Sequence, residues 1–307
     1  MLPFFCFCEN INRPLNSCLR LQLTQDLNLL HLLTPLLRNS LLLIFCLFSS
    51  SVLAEDISRA IRTGNPYPGI IENYVEVGHK FEVGKSPVFG RADADWQTQS
   101  SFVNLSWGIG SWFVERLGEA NDPYLFGYSA YNTENWSFDV VIGTKYEDLI
   151  NTTGRLRGLD KRSSATLFGG RATGYIGDYL VQLSARQDIS SKWTGHEAFV
   201  LVGRSWQVKN WNFHGMAGVK YFNQGIIDYY YGISEVESQR TGLDAYNPNG
   251  FFTFNAEFGV TYPITEHLVF RATTRARTFA DEAMDSPIFE HKRSSAIWFN
   301  TSLSLVF

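Results

Sequence analysis

Cysteine, methionine and long apolar runs are scarce in this chain of 307 residues, and each scarcity excludes a class of protein. There are 3 methionines and 4 cysteines, and every cysteine precedes residue 47. The rest of the chain therefore has no disulfide framework, cysteine-rich zinc site or thiol nucleophile. Export into an oxidising compartment explains this distribution, and so does chance. The cysteines are Cys6, Cys8, Cys18 and Cys46.

Charge is sparse as well. Charged residues make up 18% of the chain, with 26 Lys plus Arg against 30 Asp plus Glu. That mild acidity argues against a nucleic-acid binder, which needs a basic face. The hydrophobic share of 45% argues against a disordered tail or a solvated linker. Aromatic residues are abundant instead, with 24 Phe, 14 Tyr and 8 Trp.

Residues 1–54 are predicted to be a signal peptide with an over-extended N-terminus. The apolar run 41–48 follows Arg38, and Val52 and Ala54 occupy the small-residue positions that a signal peptidase reads. The run is far shorter than the ~20 residues of a spanning helix, and a buried N-terminal helix is the alternative. No lipoprotein-like start follows the run, so no lipid anchor is expected. Without a later repeat or break in composition, residues 55–307 are expected to form one domain.

The body of the chain alternates apolar and polar residues with a period of two. In 252–262, Phe254 and Phe258 fall on one face and Thr253 and Glu257 on the other. Side chains of a strand point to opposite sides in turn, so each such run has one apolar and one polar surface. The same alternation recurs in 136–146, 179–187, 267–278 and 297–307.

Turn-forming residues divide the body into twelve predicted strands, and ten is the alternative because the first three are weakly marked. Short connections alternate with long ones, which fall near 148–162, 188–195, 224–249 and 281–293. The predicted strands are 71–83, 87–97, 100–115, 122–131, 135–147, 163–175, 178–187, 196–207, 211–223, 250–262, 266–280 and 294–307.

These strands predict an all-β fold, a transmembrane antiparallel up-and-down β-barrel. The runs of about 10–13 residues match the ~9–11 that cross a bilayer at a tilt, whereas strands of a soluble sandwich or lipocalin average ~5–6. Aromatic residues at the ends of the apolar faces are typical of interfacial girdles. A spanning sheet must close, because lipid cannot satisfy its backbone edges. The polar residues expected to face the lumen are Asp139, Lys145, Gln182, Arg186, Glu257, Arg271 and Arg275.

The last strand carries a pattern that resembles the C-terminal signal read by the outer-membrane assembly machinery of Gram-negative bacteria. The chain ends on an aromatic residue that closes an amphipathic strand. The sequence therefore predicts an outer-membrane protein whose first partners are that machinery and outer-membrane lipid. The predicted signal consists of Phe299, Leu303, Leu305 and Phe307.

Several motifs of the C-terminal half resemble the MipA/OmpV family of outer-membrane proteins. DYYYGIS at 228–234 is similar to the family's tyrosine-rich "YYGV(S/T)" strand end, and TGLDAY at 241–246 to its "SGL-AY" loop. TYPITEH at 261–267 resembles "TYPLTEHW", and DEAMDSPI at 281–288 resembles "GDAADSPIV". RLRGLD at 155–160 resembles a shortened "LRGLGD" segment. Residues 55–147 match in pattern alone.

The resemblance implies a barrel in the outer membrane. No cofactor is expected. Its best-known member is described as a scaffold that links a lytic transglycosylase to a penicillin-binding protein in murein synthesis, and other members as porin-like or adhesive. The expected function is therefore a structural scaffold for murein enzymes. The alternative is a small porin-like channel for polar or anionic solutes, and adhesion through long loops is a third possibility.

No catalytic or metal-binding constellation is predicted. The five histidines after residue 54 lack an activating context, and the glycine pairs lack the Lys-Ser/Thr of a phosphate loop. The stripe Arg271, Arg275 and Arg277 fits either an anion-attracting wall or a salt-bridged plug. The long loop 224–249 could bind a partner or a glycan by stacking, or its tyrosines could belong to the outer aromatic girdle. The partner-binding candidates there are Tyr229, Tyr230, Tyr231 and Tyr246.

Overall fold

The computed structural model describes residues 73–85, 95–116, 124–145, 156–192, 194–289 and 293–307. The predicted signal peptide, its cleavage site and its over-extended start all lie outside these residues. So does most of the predicted strand 87–97, and the side chain of Lys145 is likewise not described. The predicted domain 55–307 is therefore described from residue 73 onward.

Twelve antiparallel strands close into a single barrel in which each strand pairs with its neighbours in sequence and β1 pairs with β12. This confirms the predicted fold class and strand number. The strands are β1 (Tyr74–Lys85), β2 (Asp95–Ile109), β3 (Trp112–Arg116), β4 (Tyr124–Asn132), β5 (Trp136–Lys145), β6 (Ala165–Ile176), β7 (Tyr179–Asp188), β8 (His196–Val208), β9 (Trp211–Phe222), β10 (Phe251–Pro263), β11 (Leu268–Thr278) and β12 (Ser295–Val306).

The alternation along each strand decides which side chains point outward. In β10, Phe254 and Phe258 are 59% and 52% exposed on the outside, whereas Thr253 and Glu257 are buried within the barrel. Such a surface, apolar outside and polar inside, is the inverse of a soluble β-protein, whose apolar face points inward. The C-terminal residues Phe299, Leu303, Leu305 and Phe307 also lie on the outer surface.

The turn between β2 and β3 falls inside the predicted strand 100–115. Gly110 adopts a φ of +60° there, a left-handed conformation that glycine reaches without steric cost. Trp112 then pairs with Ile109 across a two-residue turn. The alternating pattern continues through the turn, so periodicity alone predicted one strand where the chain forms two.

Short turns gather at one end of the barrel, here called the turn end. They join β2 to β3, β4 to β5, β6 to β7, β8 to β9 and β10 to β11. The start of β1 and the end of β12 lie at the same end, where Val75 and Phe307 exchange two backbone hydrogen bonds of 3.1 and 2.8 Å. The long described connections lie at the opposite end, here called the loop end.

The loop end is covered by a folded cap made of residues 156–163, 224–249 and 281–289. The cap contains three helices, α1 (Gln224–Tyr231), α2 (Glu235–Thr241) and α3 (Asp281–Met284). Within the part of the chain that the structure describes, no helix is long and apolar enough to cross a membrane. Helices α1 and α2 make up most of the predicted loop 224–249. The tyrosines that resembled a strand end belong to α1.

The cap has its own apolar core, which continues into the mouth of the barrel. Ile226, Ile227 and Tyr230 of α1 pack with Met284 of α3 and with Leu167 of β6. The inward side chains of β6, β9 and β10 thus change from polar in the middle of the barrel to apolar at the loop end. This change lets the cap bury its apolar face on the barrel.

Candidate functional site

The structure places most of the predicted lumen residues inside the barrel. Asp139, Gln182, Arg186, Glu257 and Arg275 are each at most 8% exposed. The side chain of Arg271 is 13% exposed, and the side chain of Lys145 is not among those that the structure describes. The structure joins two of the seven directly, since Glu257 and Arg275 form an ion pair. Four more bond to residues outside the predicted set: Asp139, Gln182, Arg186 and Arg271.

A buried triad spans β9, β10 and β11. Glu257 accepts a hydrogen bond from Nε of Arg275 through one oxygen, and its other oxygen lies 2.8 Å from Nε2 of His214. His214 is wholly buried. No activating context marks this histidine in the sequence, and the structure buries it on the inward face of β9.

Neighbouring strands carry further buried ion pairs. Arg186 lies 2.6 Å from Glu197, and Lys220 lies 3.7 Å from the same oxygen. Lys80 lies 2.9 Å from Glu82, and both side chains are at most 1% exposed. These residues come from β1, β7, β8 and β9, so the pairs extend around much of the wall.

Two further arginines pair with carboxylates of other strands. Arg171 contacts Asp139 at 3.1 Å and Glu115 at 2.9 Å. Arg271 donates to Glu76, which also accepts a 2.6 Å hydrogen bond from the hydroxyl of Ser304. Burying a charge without a partner is expensive, so such pairing lowers the cost of holding charged side chains inside the barrel.

The cap holds an ion pair of a different kind. Nη1 of Arg162 lies 2.8 Å from Glu237 and also donates to the backbone oxygen of Asp160, while Nη2 donates to the backbone oxygen of Gly232. Glu237 also closes a capping box with Ser234 at the start of α2. Burial raises the pKa of this carboxyl, but the hydrogen bonds from Arg162, Ser234 and Asp160 outweigh burial and lower it to about 2.

A cleft of about 520 Å³ opens in the cap between α1, α2 and the segment that follows α2. Two of the predicted partner-binding tyrosines, Tyr229 and Tyr246, line this cleft. The other two pack differently: Tyr230 is buried in the cap core, and Tyr231 stacks on Phe289 at 5.9 Å.

The two cleft tyrosines are fixed at their hydroxyl ends. The hydroxyl of Tyr229 accepts a 2.8 Å hydrogen bond from the backbone N–H of Ser163, and that of Tyr246 donates to the carbonyl of Glu282 at 2.7 Å. Burial raises the pKa of Tyr246, and the carboxylates of Asp285 and Glu282 raise it further. The cleft thus presents two immobilised rings in an acidic setting.

Among the described residues, no group of three or more His, Cys, Asp or Glu side chains is placed to hold a metal ion. The buried His214–Glu257 pair has the residue types of a catalytic dyad but is sealed from solvent. A nucleophile or base that no substrate can reach does no chemistry.

The sequence of the barrel matches a known protein family. The family described as "MltA-interacting protein MipA" matches residues 78–305, which is most of the chain and nearly all of the barrel. The chain belongs to the MipA family. The resemblance of its motifs to the MipA/OmpV proteins is thereby confirmed.

Curated relatives of this MipA-family chain include proteins named as outer-membrane proteins. The outer membrane protein YiaT of Escherichia coli (strain K12) is 31% identical over 146 residues, covering 48% of this chain and 58% of that protein. The MltA-interacting protein of the same strain is 34% identical over 73 residues, covering 24% and 29%. Outer membrane protein OmpV of Vibrio cholerae is 24% identical over 148 residues, covering 48% and 56%.

The matched part of the MipA-family chain spans little more than half the length of these relatives at most. Two of the three are named as outer-membrane proteins, which agrees with an outer-membrane location for this barrel. Among solved structures, outer-membrane expressed OmpT of Vibrio cholerae has a TM-score of 0.38 at 9% identity, covering 77% of this chain and 97% of that chain.

Proposed function

We propose that this barrel is a non-enzymatic structural protein of the outer membrane that holds murein-synthesising and murein-hydrolysing enzymes near the envelope. A 73-residue stretch is 34% identical to a relative named for its interaction with MltA, which supports such a role. The proposed partners are a lytic transglycosylase and a penicillin-binding protein.

The observation that carries a structural role over transport is the filled interior. Residues that line a water-filled channel are exposed to solvent, yet Glu82, Glu197 and His214 are at most 1% exposed. Glu82 pairs with Lys80, Glu197 pairs with Arg186, and His214 lies against Glu257. Barrels of about eight strands are filled by side chains and porin channels need sixteen or more, so twelve strands permit a filled lumen.

Orientation sets where the partners bind. Both ends of the barrel sheet lie at the turn end, which is the arrangement of outer-membrane barrels with an even number of strands and short periplasmic turns. We therefore place the turn end in the periplasm and the cap outside. The murein enzymes would then contact the turn end, where Glu134, Asp178 and Glu266 are exposed polar side chains.

The test is a pull-down from cross-linked membranes. We expect the tagged barrel to recover a lytic transglycosylase or a penicillin-binding protein. A triple variant, Glu134→Lys, Asp178→Lys and Glu266→Lys, should lower recovery, while Asp244→Lys in the cap serves as the matched control. Recovery of neither enzyme, in membranes where an unrelated envelope complex is captured, contradicts the scaffold.

The channel alternative is tested on the same purified protein. In planar bilayers, the filled interior predicts no conductance above leak at neutral pH. Steady, ion-selective steps that disappear when the protein is omitted would instead establish a channel and remove the filled-barrel argument.

A further inference from the structure

We propose that the cleft of the cap is a binding site for a saccharide without acidic groups, a function separate from the scaffold role at the turn end. The site is defined by Tyr229, Tyr246, Asp228, Glu235 and Asn247, which all line the cleft. Its volume of about 520 Å³ lies within the usual range of small-molecule sites, roughly 300–1,000 Å³.

The rings supply the first element of the site. Aromatic faces stack on the apolar faces of flat ligands, and a ring already held in place loses little freedom on binding. The backbone of Tyr246 is fixed by two hydrogen bonds to Ile233, of 2.8 and 2.9 Å, and its hydroxyl is bonded to Glu282. Tyr229 is held by Ser163 at its hydroxyl and lies under the guanidinium of Arg162, 5.9 Å from the ring centre.

Polar groups for hydroxyl recognition supply the second element. Asp228 and Glu235 are exposed carboxylates that can accept hydrogen bonds from sugar hydroxyls. The amide oxygen of Asn247 accepts from Gln224 at 3.2 Å, which orients its amino group as a donor. A sugar ring offers both donors and acceptors, so it can satisfy this mixed set as a hydrocarbon ligand could not.

The net charge of the cleft disfavours acidic ligands. The charged residues that line the cleft are three carboxylates and one guanidinium, and the guanidinium of Arg162 is paired with Glu237. Asp228 and Glu235 therefore leave the cleft with an excess negative charge. Sialylated, sulfated or phosphorylated sugars would be repelled, whereas neutral sugars would not.

The experiment measures binding to the full barrel in detergent by isothermal titration calorimetry. The probes are maltotriose and N,N′,N″-triacetylchitotriose as neutral sugars of two linkage types, with 6′-sialyllactose as an acidic sugar and spermidine as a cation. We expect at least one neutral trisaccharide to bind and 6′-sialyllactose not to bind. The preferred trisaccharide tells whether the natural ligand is glucan-like or built of N-acetylhexosamines.

Variants separate the site from general effects on folding. Tyr246→Ala and Asp228→Ala should each weaken binding at least about tenfold, whereas Tyr246→Phe keeps the ring and should stay within about threefold. Asp178→Asn at the turn end is the control that should bind as the unaltered protein does. Near-ultraviolet circular dichroism confirms that each cap remains folded.

Two results overturn the proposal. One is that no neutral sugar binds at 10 mM or that only spermidine binds, which would mark an acidic surface and not a saccharide site. The other is that binding survives both Tyr246→Ala and Asp228→Ala in folded protein. Neither result bears on the pull-down at the turn end, so the two proposals fail independently.

Discussion

Glu237 ties three parts of the cap together. Its oxygens meet Arg162, the start of α2 and the backbone N–H of Asp160, 77 residues away in sequence. Its folded-state pKa of about 2 lies below the ordinary value of 4.5, so the carboxylate stabilises the cap above pH 4.5. That stability is lost as pH falls from about 4.5 towards 2.

We therefore expect the cap tyrosines to lose their near-ultraviolet circular dichroism in acid between about pH 4 and pH 2. Glu237→Gln should weaken the cap at neutral pH and flatten this transition, because the titrating group is gone. Glu235→Gln, on the exposed side of the same helix, should leave the transition in place. An unchanged acid transition in Glu237→Gln would assign it to another group.

Removing one charge from the triad of His214, Glu257 and Arg275 should destabilise the barrel. Glu257→Leu leaves a buried guanidinium without its carboxylate, and we expect a loss of about 3–5 kcal/mol in the free energy of unfolding. The double variant Glu257→Leu with Arg275→Met removes both charges and should recover part of that loss. Urea unfolding in lipid vesicles measures both values.

Glu134→Gln is the matched control for the triad, since Glu134 lies in an exposed turn, and we expect its effect to stay within about 0.5 kcal/mol. Equal effects of Glu134→Gln and Glu257→Leu would show that the interior pair carries no special energy.

At the scale of the element, the turn between β2 and β3 depends on backbone conformation alone. A Cβ at Gly110 would meet no atom within 4 Å, but the φ of +60° disfavours any residue that has one. We expect Gly110→Val to destabilise the barrel by about 1–2 kcal/mol, measured by urea unfolding in vesicles. Gly170→Ala, on an open outer position with an ordinary φ, should be close to neutral.

The same element shows what could be predicted from sequence. The alternation with a period of two predicted the strands and the side of the sheet on which Glu257 and Arg275 lie, because pleating fixes side-chain direction. It did not predict which interior side chains contact each other. Glu257 lies opposite Arg275 in the register of β10 and β11, while His214 reaches it diagonally from a position opposite Gly259. Such contacts depend on register, and register depends on the closed barrel.

The cap was missed for a different reason. Period two does not detect helices, and the tyrosines of α1 resembled a strand end. A signal was present: Ser234 and Glu237 have the spacing of a capping box, and Gly242 follows α2 in a left-handed conformation. The glycine and the box together mark a helix of about this length. Nothing local, however, shows that α1 packs on Leu167 and Phe251 at the barrel mouth.

For the whole molecule, the outer surface is matched to lipid and not to water. Leu183 points outward from the middle of β7, whereas Ile264 lies in a turn at the rim, and the two side chains are 40% and 50% exposed. Similar exposure in water would make charged substitutions at the two sites equally harmless. In a bilayer, depth separates them, because an arginine costs about 2–4 kcal/mol at the midplane and about 0–1 near the interface.

We therefore expect Leu183→Arg to lower the free energy of unfolding in vesicles by about 2–4 kcal/mol and Ile264→Arg by less than about 1 kcal/mol. The measurement is equilibrium refolding followed by tryptophan fluorescence. Leu183→Ala separates the loss of the side chain from the charge, and its cost should be clearly smaller than that of arginine. If both arginines cost the same, Leu183 does not face the hydrocarbon, and the position of this barrel in the membrane has to be redrawn.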